Sequence, residues 1–433
     1  MSDPLKVGIA GLGTVGAAVV RLLQDQADHL ARRCGRPVIV TSVSARDRKR
    51  DRGVDLSDFA WHDDPAGLAR SNAVDVVIEL IGGENGPALE TVESALKAGK
   101  PVVTANKALL AHHGVRLAAL AEANEVALNF EAAVAGGIPV IKALRESLQG
   151  NKIGRVFGIL NGTCNYILTR MEREGRAFDE ILKDAQDLGY AEADPTFDIG
   201  GFDTAHKLSI LTSLAFGTQI DFEAVYVEGI EGITLEDLKA ADELGYRIKL
   251  LGVAVRGETG IEQRVHPTMV PKSSVIAQID GVTNAVAIDG DQVGEVMLVG
   301  PGAGGAATAS AIVGDITDIA RGIRLTPFVI PAATLAPYVQ AQMRTHEGGY
   351  YIRLHVFDRP GAFAAIAKRM AEQGISLESI MQKGERGNSG DAPRSVILIT
   401  HETSEARVRE ALDQIRADGH IDRDPQMIRI EQA

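Results

Sequence analysis

The sequence predicts an α/β chain of more than one domain: a doubly wound parallel sheet, then an α+β unit, then a small tail of βαββα order. Three observations carry this. Short apolar runs alternate with helical spacing up to Asn129, a bent glycine-rich stretch follows, and a fresh strand–helix pattern opens near Tyr350. With 433 residues, 45% of them apolar, the chain can bury a large core and is too long for one ordinary domain. A formal charge of -13 leaves no basic footprint, which argues against nucleic acid as a partner. The opening Met1-Ser2-Asp3-Pro4 has no basic n-region, and no apolar run approaches the ~18 residues of a membrane span. A cytoplasmic chain with no membrane partner is expected. Cys34 and Cys164 are too few for a disulfide framework or a thiolate metal site.

Residues 5–10 form an apolar run that passes into Gly11-Leu12-Gly13-Thr14-Val15-Gly16 and then into helical spacing over 17–23. In a strand–turn–helix context each glycine has a purpose: a tight turn, close backbone approach to a pyrophosphate, and close helix–strand packing. The phosphates would lie on the helix N-terminus, and the unit reads as a Rossmann-type dinucleotide fold. The bland alternative is a glycine turn with no ligand. A second strand at 38–43 should end on the residue that reads the adenosine ribose, where an NAD enzyme usually carries Asp or Glu. Here the chain continues Ser44-Ala45-Arg46-Asp47-Arg48-Lys49-Arg50, without an acid at the strand tip and with cations beyond it. A 2′-phosphate is favoured, against the alternative of a solvated basic loop. Strand and helix pairs follow at 74–80 with 87–98, at 101–104 with 107–121, and a strand at 126–129. Ligands of such sheets bind beyond the carboxyl ends of the strands, which places Lys107 in the crevice unless it is a plain surface cation.

The segment Glu131 to Pro139 bends into a helix at 140–148, and the domain boundary is placed here. One carboxylate beside several carbonyls suits a hard monovalent cation. A capping turn with no ion is the alternative. The second unit opens with a strand at 153–160, the turn Asn161-Gly162-Thr163-Cys164-Asn165 and a helix at 166–173. A buried thiol is favoured over a nucleophile for Cys164, because no histidine base lies close in sequence. Polar chemistry is densest from Leu188 to Leu208. Pro195 and Gly200-Gly201 interrupt any helix, leaving Glu192, Asp194 and Asp198 on a loop ahead of a helix that begins near Phe202. Asp203 and Lys207 then share one face at i and i+4, either as a surface ion pair or, since an apolar run at 208–216 follows, as a pair at a buried edge. Strands at 248–255, 262–267 and 285–288 complete the unit, and Gly300-Pro301-Gly302-Ala303-Gly304-Gly305 leads into a helix at 306–323 that returns to the first sheet. After a linker near 343–349 the tail reads strand 350–356, helix 362–373, strands 375–382 and 395–400 around a glycine-rich turn at 384–390, helix 404–417 and a short strand at 426–430.

Taken together, GLGTVG at 11–16, TANKALLA at 104–111, NGTCNYIL at 161–168, GYAEADPTFDIGGFDTAHKL at 189–208 and GPGAGG at 300–305 make the chain resemble homoserine dehydrogenase, which interconverts aspartate semialdehyde and homoserine. The match spans almost the whole chain, and the 189–208 block is very specific. With no kinase-like segment ahead of the glycine turn, the resemblance is to the monofunctional form. It implies Lys207 as the catalytic lysine that gives a proton to the carbonyl oxygen, Asp203 as its orienting acid and Lys107 beside nicotinamide and substrate. Glu192 would hold the substrate ammonium, with Asp198 as a further substrate-side acid. Thr14, Val15, Lys107 and Gly304 fall at the family's cofactor positions; the glycine turn itself adds Gly11, Gly13 and Gly16, and the cation-bearing loop after the second strand, which differs between members, adds Arg46. NADP is preferred and NAD possible. Glu131, Val134, Gly136 and Ile138 match a sodium site. The tail, with DRPGAF at 358–363, resembles an ACT domain, which implies an effector near Asp358 to Phe363, threonine being the pathway end product; assembly alone is the alternative role. The expected division is 1–135 for the dinucleotide domain, completed by 305–325, then 136–304 for the catalytic and dimerisation domain and 349–433 for the ACT domain, in a homodimer or homotetramer. Two other readings are open to the sequence: a semialdehyde dehydrogenase acting through a thiohemiacetal on Cys164, and a sensor that binds dinucleotide and amino acid without catalysis.

Overall fold

The computed structural model describes residues 3–341, 347–383 and 393–431. The expected linker near 343–349 falls partly outside them, and the turn at 384–390 wholly so. Six short parallel strands, β1 (Leu5–Ala10), β2 (Val38–Ser44), β3 (Ala60–Trp61), β4 (Val76–Glu79), β5 (Val102–Thr104) and β6 (Leu128–Asn129), form a sheet in the order β3-β2-β1-β4-β5-β6. That order reverses direction between β1 and β4, and the switch point is where a doubly wound sheet opens a crevice for a ligand. The connections carry α1 (Thr14–Asp25), α2 (Ala27–Cys34), α3 (Pro65–Arg70), α4 (Pro87–Lys97) and α5 (Lys107–Ala123). Strands β1, β4, β5 and β6 are buried along nearly their whole length because helices cover both faces.

The chain leaves this sheet through a short helix, α6 (Val140–Lys142), which runs into a π turn at Ala143–Ser147. Next come β7 (Ile153–Ile159), α7 (Gly162–Glu174), α8 (Phe178–Asp187), α9 (Thr196–Ile199), α10 (Phe202–Phe216), β8 (Tyr226–Val227) and α11 (Leu235–Glu243). Helix α7 begins four residues earlier than its apolar spacing suggests, because the Asn161 side chain accepts the Cys164 N–H and starts the helix there. The hairpin of β9 (Tyr246–Arg256) and β10 (Ile261–Pro271) is paired along its whole length, and β11 (Thr283–Gly290) pairs with β12 (Gly294–Pro301). Helix α12 (Gly305–Ala320) turns back to α1, its Ala309, Ile312 and Ile316 sharing a core with Val19 and Val20.

The tail runs β13 (Glu347–Phe357), α13 (Ala362–Glu372), β14 (Leu377–Lys383), β15 (Pro393–Thr400), β16 (Thr403–Ser404), α14 (Glu405–Ala417) and β17 (Gln426–Ile430), the βαββα order with its final strand. Its helices pack on Tyr350, Ile352, Leu354 and Leu398 in a core of their own. Its sheet is not its own. Strand β17 lies parallel to β10, with Thr268 opposite Arg429 and Met269 opposite Ile430, so the path β12-β11-β7-β9-β10-β17-β13-β15-β14 is one sheet. The reading of the tail as a separate unit is corrected to that extent. An unpaired β10 edge would expose a row of backbone donors and acceptors, and β17 covers it.

Candidate active site

The dinucleotide cradle follows from backbone space. A Cβ added at Gly11, whose φ is +105°, would meet the Leu80 carbonyl at 2.3 Å, and one at Gly16 would meet the Gly11 carbonyl at 2.1 Å. At Gly13 it would meet nothing within 4 Å. Two glycines thus close the turn and the third leaves room for a ligand against the first turn of α1, whose N-cap supplies no side chain. Thr14 and Val15 follow directly. Gly304, also in open space, starts α12, and Gly305 lies 3.2 Å from Thr14 Cγ2 as measured from its added Cβ, so both glycine turns face the same place. The residues fit a dinucleotide. Arg46 is exposed just beyond β2. A residue the sequence reading passed over, Arg52, fastens that loop to the cradle: it donates to the carbonyls of Leu12 at 3.0 Å, Arg50 at 2.7 Å and Asp47 at 2.5 Å, and its guanidinium lies over Trp61.

At the switch point, Glu79 ends β4 fully buried. It accepts the Thr104 hydroxyl at 2.6 Å, the N–H groups of Ile81 at 2.8 Å and Gly82 at 3.2 Å, and Asn106 Nδ2 at 3.4 Å. Burial raises its pKa and these bonds oppose the rise. Asn106 in turn caps α5 through the Leu109 N–H, which fixes the start of the helix and with it Lys107. Nothing in local spacing marks Glu79, because the side chains that hold it, Thr104 and Asn106, come from the loop after another strand.

The acid–lysine cluster is buried, which rules out the surface ion pair. Asp203 is 4% exposed and Lys207 is 9% exposed. Lys207 Nζ donates to Asp203 Oδ2 at 2.7 Å and to the Leu160 carbonyl at 2.7 Å. Lys107 Nζ approaches the other oxygen, Asp203 Oδ1, at 2.9 Å and lies over the Phe197 ring. One carboxylate therefore joins α5 of the first sheet to α10 of the second. Burial alone would raise the Asp203 pKa, but Lys207 and Lys107 hold it well below the usual carboxylate range. Burial lowers Lys207, with Asp203 pulling it back up and Lys107 pushing it down, whereas Asp203 raises Lys107.

Asp198 was expected on a loop and instead sits in α9, a single turn that Pro195 starts and Gly200-Gly201 stops. Its Oδ1 accepts Asn161 Nδ2 at 2.8 Å, and burial followed by the charge of Asp203 raises its pKa. Glu192 is exposed on the preceding turn, and its charge adds to the field on Lys107. Cys164 is fully buried within 3.2 Å of the Asp198 carbonyl, and burial pushes its thiol well above the ordinary value. With no exposed surface and its thiol turned to a main-chain carbonyl, Cys164 is out of reach of a substrate carbonyl, which weighs against the thiohemiacetal reading.

Between the two sheets, Glu131 turns its carboxylate to the N–H groups of Ile141 and Lys142, both at 2.8 Å, and its own N–H donates to Asp315 at 2.9 Å. Burial and the neighbouring Asp315 push its pKa up to about 7. Ala135 and Gly136 both have positive φ, 56° and 51°, and turn the main chain sharply between Val134 and Ile138. Among the described residues no group of three or more His, Cys, Asp or Glu side chains could hold a metal ion, so an ion here would depend on carbonyl oxygens. In the tail, Asp358 pairs with Arg394 at 2.8 Å just past the end of β13, and Phe363 in the first turn of α13 is exposed. No helix among the described residues is long and apolar enough to cross a membrane.

Three family models match: the homoserine dehydrogenase NAD-binding domain over residues 11–131, homoserine dehydrogenase over 139–317 and the ACT domain over 350–420. The homoserine dehydrogenase of Neisseria gonorrhoeae is 45% identical over 434 residues, covering 99% of each chain. The crystal structure of a homoserine dehydrogenase from Thiobacillus denitrificans superposes with a TM-score of 0.92 at 44% identity, over 99% of this chain and 98% of that one. A hyperthermophilic archaeal homoserine dehydrogenase in complex with NADPH covers 73% of this chain and 97% of its own, at 27% identity and a TM-score of 0.63.

Proposed function

The chain belongs to the homoserine dehydrogenase family of NAD(P)-dependent oxidoreductases, and from that premise we propose that Lys207, Asp203 and Lys107 are its catalytic groups. A nicotinamide cofactor, held by Gly11, Gly13, Thr14, Val15, Gly16, Arg46, Lys107 and Gly304, supplies the hydride for aldehyde reduction. Lys207 gives its proton to the carbonyl oxygen as charge grows there, and in the reverse direction its neutral amine takes the proton of the homoserine hydroxyl. Asp203 aims Lys207 and stabilises its charged form. Lys107 shares Asp203 and presents a second cation to the substrate, while Glu192 and Asp198 face the substrate ammonium.

The observation that carries this reading is the Asp203 carboxylate, buried, with one oxygen on each lysine. A buried ion pair is weak as a stability device, since apolar packing does as well, so its place at the mouth of the crevice points to chemistry. The test is homoserine oxidation followed by nicotinamide absorbance. Lys207→Met should lower kcat by about three orders of magnitude with cofactor affinity retained, because the lost group acts in the transition state. A variant keeping more than about a tenth of the wild-type rate would remove α10 from the mechanism.

NADP is the preferred cofactor in this reading: Ser44, not an acid, ends β2, and Arg46, Arg48, Lys49 and Arg50 follow. The archaeal relative with bound NADPH supports the same choice. A sodium ion at Glu131, Val134, Gly136 and Ile138 would be held by main-chain oxygens, the Glu131 carboxylate being engaged by Ile141 and Lys142. The chain divides functionally into 1–135 with 305–325, 136–304 and 349–433. The last of these binds threonine near Asp358 to Phe363 and restrains the enzyme, which works as a cytoplasmic homodimer or homotetramer.

A further inference from the structure

Asn161, two residues past the end of β7, caps α7, its Oδ1 accepting the Cys164 N–H at 2.8 Å. With the oxygen end engaged by a backbone donor, the amide has one orientation and its Nδ2 carries two protons to the opposite side. Both protons go to carboxylates: Asp198 Oδ1 at 2.8 Å and Asp203 Oδ2 at 2.8 Å. The same Asp203 oxygen takes Lys207 Nζ, and the second bond of Lys207 goes to the carbonyl of Leu160, the residue before Asn161. We infer that Asn161 is a positioning residue of the reaction: its amide bridges the substrate-side acid Asp198 and the lysine-side acid Asp203, keeping both ionised and the proton of Lys207 aimed.

Two carboxylates side by side tend to share a proton, and a shared proton would withdraw one of them from its partner. A neutral group with two donors separates them, and few residues provide one. Asp has the reach but no donors, and Ser has a single donor. As a helix cap alone, however, Asn, Asp and Ser serve almost equally, so capping uses only half of this side chain. The charged and titratable groups around the bridge are Lys107 from α5, Cys164 from α7, Asp198 from α9, and Asp203 and Lys207 from α10. The inference rests on the catalytic reading of Lys207 and Asp203.

Asn161→Asp and Asn161→Ser both retain the cap and remove the bridge. In the full-length enzyme each should keep its cofactor affinity while kcat/KM for homoserine falls about 10²-fold, the cost of an ångström-scale misplacement, measured at a temperature well below the thermal midpoint of each variant so that lost stability does not enter the rate. The variants should separate in their pH profiles. Asn161→Asp adds a third carboxylate where two donors stood, so a proton is taken up there and the acid limb moves to higher pH. Asn161→Ser takes away the same two donors without adding a charge, so its acid limb should move in the same direction by a smaller step. Activity within about threefold of wild type in both variants would reduce Asn161 to a helix cap, as would losses that only track a fall in thermal midpoint with an unshifted acid limb. Lys207→Met is run alongside: if it retains the wild-type rate, the catalytic reading fails on its own account, whatever the Asn161 variants do.

Discussion

Lys207 sits where opposing influences meet, so it carries a pH signature with a definite sign. Burial lowers its pKa below the ordinary 10.5, Asp203 raises it and Lys107 lowers it again. In the proposed mechanism homoserine oxidation needs the neutral amine of Lys207, so kcat should rise with pH and level off below the ordinary lysine range. Aldehyde reduction needs the charged form and should fall over the same interval. Replacing Asp203 with Asn removes the influence that raises the pKa, so the rise in oxidation should move to lower pH; an unmoved profile would separate Asp203 from Lys207. Arg46 makes a different prediction, because it lies exposed beyond β2 and can hold a 2′-phosphate through two hydrogen bonds. Arg46→Ala should cut kcat/KM with NADP by about 10-fold or more, the scale of a lost charged hydrogen bond, and leave NAD nearly untouched. Equal losses with both cofactors would show that Arg46 does not read the phosphate.

Among the elements, α11 shows how one acid can fasten two parts of the chain. Asp237 closes the capping box of α11 with Thr234, and it also receives Arg353 of β13 through two bonds, at 2.7 and 3.0 Å, and the Tyr351 hydroxyl at 2.9 Å. Asp237→Ala would leave Arg353 buried without its partner, at a cost of about 3–5 kcal/mol seen as a lower denaturation midpoint. A change under about 1 kcal/mol would mean that water or another acid takes over. This contact lies across 116 residues of sequence, and that distance explains what could be read in advance. The run at 5–10 with its glycine turn, the alternation up to Asn129 and the i, i+4 pair Asp203 and Lys207 are local patterns, and the structure forms each of them. The bridge made by Asn161, the clamp of Glu79 and the bolt of Arg52 join separate loops, and no periodicity reports them. The same holds for β17: its apolar pattern marks a strand, but the choice of β10 as neighbour belongs to the assembled sheet.

For the molecule as a whole, the joined sheet decides how regulation must be tested. Tyr351, Ile397, Ile399, Ile428 and Ile430 of the tail lie in the same apolar core as Ile248, Val265 and Met269, so cutting the chain after Ala341 would uncover that core and the β10 edge together. A truncated enzyme should be less stable and prone to self-association, and its loss of a threonine response would not by itself locate the effector. The contacts suggest a gentler route. Arg409 of α14 donates to the Tyr226 hydroxyl at 2.9 Å, Arg429 of β17 reaches Glu228 at 3.2 Å, and two residues on, Ile230 donates its N–H to the Ile199 carbonyl of α9 at 2.9 Å. Residues 226–230 thus touch the tail on one side and the helix bearing Asp198 on the other. A ligand changes activity only by preferring one state of such an element, and the coupling must be reciprocal. If threonine binds near Asp358 to Phe363, the full-length Asp358→Ala enzyme should lose inhibition while retaining kcat. Saturating homoserine with cofactor should also weaken threonine binding to the wild type by the same factor that threonine weakens theirs, about 5- to 150-fold for couplings of this kind. Inhibition that persists unchanged in Asp358→Ala and is strictly competitive with homoserine would place threonine in the substrate site and leave the tail an assembly role.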